Sequence, residues 1–108
     1  MQEKVGEIQS LLLINRRLLA SAAQDVDAGS RPTMAESFLL KTVLAENAVR
    51  AVEAATVLAG NHAHSRDNPL ERYLRDVLCA RVHVPNADAA HLAAGRDALA
   101  AFAGTDNK

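Results

Sequence analysis

An antiparallel bundle of α-helices, three long and one short, is what this sequence predicts, and three observations predict it. Alanine and leucine dominate while aromatic residues make up 3% of the chain, so helix is favoured and the residues that prefer strands are scarce. Apolar residues recur at helical spacing over long stretches. Three prolines interrupt 108 residues, and each stands beside a place where the apolar pattern stops or starts.

The first helix is expected from about Gln2 to Asp27, with Val5, Ile8, Leu12, Leu19, Ala22 and Val26 at helical spacing. It stops at Ala28-Gly29-Ser30-Arg31-Pro32, a turn in which glycine and proline end the helix. Its block Leu11 to Ile14 spreads apolar surface around more than half the circumference. Thr33-Met34-Ala35-Glu36 supplies a capping box for a second helix that continues to about Ala59 and ends at Gly60. Phe38, Ala45, Ala48, Val52, Ala55 and Ala59 form one stripe on it, while Leu40, Val43, Leu44, Val49 and Val57 lie off that stripe, so two faces want burial.

A short third helix opens at Asn68-Pro69. Asn68 is a capping residue, Pro69 suits the first helical position because its missing N–H would be unpaired there, and Glu71 completes a capping box. It runs to about Ala80 or Arg81, with Pro85 barring continuation. Asn86 caps the last helix, which carries Ala89, Leu92, Ala93, Leu99 and Phe102 before Gly104. Residues 1–104 are expected to form a single helical-bundle domain, and 105–108 a flexible tail.

Twelve basic and thirteen acidic side chains give a net charge of −1 without long like-charge runs, which argues against nucleic acid and against a polybasic membrane patch. No segment has the eighteen or so consecutive apolar residues of a membrane span, and Leu11 to Ile14 is too short for a signal-peptide core, so a cytoplasmic protein is expected. Cys79 is alone; beside Val77, Leu78 and Ala80 it reads as a buried reduced thiol. His62, His64, Asp67, His83 and His91 are nominal ligand types, but no helical His-x-x-x-His pair or cysteine pair supports a metal site, and none is expected. Glu71 with Arg75 and Arg72 with Asp76 stand at i,i+4; Arg16-Arg17, Lys41 with Glu46, and Arg50 with Glu53 read as solvated faces.

Function is addressed by one ordered set of residues: Gly60-Asn61-His62, then Asn68-Pro69-Leu70-Glu71-Arg72-Tyr73-Leu74-Arg75-Asp76, then Arg81-Val82-His83-Val84-Pro85. This set resembles the junction between the last long helices in the C-terminal helical domain of acyl-CoA dehydrogenases and their flavin-dependent monooxygenase relatives. The stretches Ile8 to Gly29 and Met34 to Gly60 look like the two family helices before that junction. The resemblance implies that the turn after the second helix approaches the adenosine diphosphate end of FAD, a task for Gly60, Asn61 and His62, where glycine avoids a Cβ collision with the cofactor. It places Asn86 where many members carry a flavin-contacting threonine. It places Val84 where most dehydrogenases carry the glutamate that removes the α-proton of the thioester. Valine takes no proton, so no catalytic residue is assigned. Arg72, Arg75 and Asp76 would brace the junction.

The family's N-terminal helical domain and central β domain do not fit into 108 residues. The expectation is therefore an acyl-CoA dehydrogenase-related helical module, with the numbering from Met1 favouring a stand-alone product over a fragment. It would assist assembly or close over FAD in a flavin-dependent oxidoreductase, without catalysis alone. FAD is expected only if partner domains, such as a flavoprotein chain, complete the site, and none on the isolated chain. Two alternatives are a subunit of a split FAD-dependent acyl-CoA dehydrogenase or monooxygenase, and a purely structural helical homodimer. A homodimer or higher homo-oligomer is expected in which the first two helices of each protomer share a bundle, because so few helices leave apolar faces uncovered.

Overall fold

The computed structural model describes residues 1–60, 69–82 and 87–106. Four helices follow one another: α1 (Gln2–Asp27), α2 (Met34–Ala59), α3 (Pro69–Val82) and α4 (Ala87–Asp106). Among the described residues there is no strand, and the all-α class with three long helices and one short one is as the sequence predicts. α1 and α2 start and stop where expected, α3 runs on to Val82, and α4 continues through Gly104 to Asp106.

Local chemistry sets these ends. At the close of α1 the Gly29 N–H donates to the Val26 carbonyl at 3.0 Å and the Ser30 N–H to the Asp25 carbonyl at 2.8 Å, the paired bonds of a Schellman cap. That cap needs a left-handed residue, and Gly29 supplies φ +81°. Four residues on, Thr33 is extended and its Oγ1 accepts the Glu36 N–H at 3.1 Å, which opens α2. Within α2 the Thr42 and Thr56 hydroxyls donate back to the Phe38 and Val52 carbonyls, so neither needs a partner elsewhere.

α2 is the spine: α1, α3 and α4 each pack chiefly against it. Its uncovered residues reduce to Met34 and Ser37 at the start and one narrow strip, Glu36, Val43, Arg50 and Val57 with Glu53 beside them. Of the second apolar set on α2, Val49 is buried and Leu40 and Leu44 are half-covered by the same chain, while Val43 and Val57 stay exposed. α1 lies antiparallel to α2, the residues near its start meeting those near the end of α2. Midway along, Asn15 Nδ2 donates to the Leu44 carbonyl at 3.1 Å and Asn47 Nδ2 donates to Asn15 Oδ1 at 3.0 Å. These two bonds fix the register of the pair, because a slip by one turn would leave half-buried amides unpaired.

The side of α1 that meets α2 differs from the expected stripe. Leu11 is buried, and Ile8, Asn15, Leu18 and Ala22 are half-buried around it. Val5, Leu12, Leu19 and Val26, a strict seven-residue row, are exposed instead. A row with a seven-residue period drifts about 20° per repeat around a straight helix, so it holds one neighbour only if that neighbour coils with it. The face through Leu11 carries the asparagine that bonds α2.

α3 packs on α2 with Leu70, Leu74 and Val77 half-covered. Cys79 stands about half a turn from Val77, on the opposite side, and is exposed. The buried-thiol expectation is therefore corrected: apolar neighbours in sequence fall on other faces of the helix. Tyr73 is also exposed, with the Arg72 guanidinium 5.8 Å from its ring centre, and no ion pair joins Arg72 to Asp76. The side chain of Glu71 lies outside the described residues.

The core is small. Leu11, Ala35, Val49, Ala51, Ala54 and Ala90 are its buried apolar residues, and Val49 is its one fully enclosed larger side chain among the described residues. The molecule measures 60 × 26 × 25 Å and exposes 7988 Å², against about 5,800 Å² for a folded monomer of this mass.

Leu11→Ala should cost about 2–5 kcal/mol of stability through a lost core contact. Leu19→Ala, at a position 54% exposed, should change monomer stability by no more than about 0.5 kcal/mol. Urea unfolding of both variants at low concentration checks which face of α1 is inside; equal losses would contradict the register described above.

Candidate functional site

The end of α2 carries the sequence-predicted cofactor turn. Gly60 closes the helix with φ +61° and ψ −137°, a conformation that side-chain-bearing residues rarely adopt. Its N–H is engaged by the Thr56 and Val57 carbonyls. A Cβ built on it would meet nothing within 4 Å. What Gly60 offers a cofactor edge is therefore open space above a capped helix end, with its own donor already used. Glycine is required there by the backbone angle rather than by crowding.

Asn61, His62 and Asn86, the other three proposed cofactor contacts, lie outside the described residues, as do Asn68 and Val84. Gly60 allows a close approach of a flavin edge, but its N–H is already engaged, so it offers that edge no hydrogen-bond donor.

Beside this turn the antiparallel pairing of α1 and α2 builds a cleft that sequence reasoning did not single out. It is about 230 Å³ and lined by Lys4, Glu7, Arg50, Glu53, Ala54 and Val57, with Val57 about one helical turn before Gly60. Lys4 Nζ contacts Glu7 Oε2 at 3.2 Å, an exposed i,i+3 pair whose contribution is about 0–1 kcal/mol and which leaves the lysine free to exchange partners. Two cations and two carboxylates line the cleft, so it presents mixed charge. Its volume falls below the roughly 300–1,000 Å³ of typical small-molecule sites. Its signal in the sequence was indirect: an antiparallel hairpin brings the first turns of α1 level with the last turns of α2, but which side chains face the cleft depends on the register that Asn15 sets.

Arg72 and Asp76 sit exposed near the start of α3, as does Arg75. Among the described residues no three of His, Cys, Asp or Glu come together as a metal site, and His91 is exposed on α4. His62, His64, Asp67 and His83 lie outside the described residues. No described helix is long and apolar enough to cross a membrane.

Comparison with known proteins gives one match. The family model described as acyl-CoA dehydrogenase, C-terminal domain, matches residues 1–88, which take in α1, α2, α3 and the first two residues of α4. No curated protein and no solved structure matches the chain significantly.

Gly60→Ala should destabilise the fold by about 1–3 kcal/mol from backbone strain alone, since the added methyl meets open space. Thermal unfolding measures it. A neutral substitution would mean that the positive φ is not required and that the turn is held some other way.

Proposed function

Because the chain belongs to the acyl-CoA dehydrogenase C-terminal domain family, we propose that it works as a helical module of a flavin-dependent oxidoreductase. In this reading it supports assembly or closes over the FAD of a catalytic unit and does not catalyse alone. The observation that carries it is the family match through α1, α2 and α3, in which the α2 end at Gly60 leaves open space where the resemblance places the cofactor edge. FAD, when bound in a complete enzyme, supplies the electron acceptance. The residues here offer an approach surface at Gly60 and the mixed-charge cleft of Lys4, Glu7, Arg50 and Glu53 beside it. Val84, aligned by the resemblance with the usual glutamate base, has no proton to take or give, which favours a supporting role over a catalytic one. The ring itself needs a surface beyond these helices, to be supplied by a flavoprotein chain or domain.

A second reading, a structural homo-oligomer with no cofactor role, is favoured by the exposed apolar row Val5, Leu12, Leu19 and Val26 and by the engaged Gly60 N–H. The two readings part on the flavin.

The isolated chain should purify colourless and should not oxidise acyl-CoA with an artificial electron acceptor. Mixed with a flavoprotein that carries the remaining domains, it should slow flavin loss, and Gly60→Leu should abolish that effect. A stoichiometric visible flavin band on the chain alone would overturn the supporting role. Flavin retention by the flavoprotein that is unchanged on mixing would leave the structural reading in its place.

A further inference from the structure

We draw no further inference here: the strongest candidate, the mixed-charge cleft between the first turns of α1 and the last turns of α2, belongs to the site already described, and among the described residues no buried charged or polar side chain points into it to name a ligand.

Discussion

One helix has to serve as the interior for all the others. α1, α3 and α4 each find their main neighbour in α2, so α2 must be apolar on nearly every side and yet admit three backbones at once. Its composition answers that demand: Ala35, Ala51 and Ala54 are buried, and Ala45, Ala48, Ala55 and Ala59 are half-covered, small residues that let neighbours approach closely. The consequence is a thin core. Alanine burial removes little apolar area, so the fold depends more on helix propensity, capping and the Asn15–Asn47 bonds than a Leu- and Phe-filled bundle would.

The fold class and the helix ends were legible because both are written in local chemistry. Thr33 with Glu36, Gly29 before Pro32, and Gly60 act through backbone hydrogen bonds within a few residues, and such signals do not depend on tertiary context. The inner side of α1 was not legible from periodicity. With Leu11, Leu12, Leu13 and Ile14 in succession, every face passes through an apolar residue, and spacing cannot rank them. Asn15 held the missing information: an amide within an apolar run belongs where a partner can bond it, and the structure puts it against Leu44 and Asn47. Cys79 was misread for a related reason, since residues adjacent in a helix diverge by about 100° and apolar neighbours in sequence do not make a buried site.

Much less of the candidate site was open to derivation. Gly60 could be located as a helix end from the pattern alone, and its positive φ agrees. That Gly60 has anything to do with FAD came from resemblance to a family, for a single glycine after a helix has an ordinary capping use. The cleft beside it joins residues more than forty positions apart in sequence, and its charges alternate along each helix as surface charges do, so nothing local marks Lys4 or Glu53 as special. Sites made by antiparallel pairing become visible only when the register of the pair is known.

From Gly95 to Gly104 every residue of α4 is exposed, about 15 Å of helix lying past its anchoring alanines. A helix of that length is marginal in water, so these turns persist as an extension of the part seated on α2, and their local opening draws on only a small fraction of the global stability. Mild denaturant would therefore fray α4 from its C-terminus long before it disturbed α2, so the length of this one helix reports how far conditions stand from those that melt the whole fold.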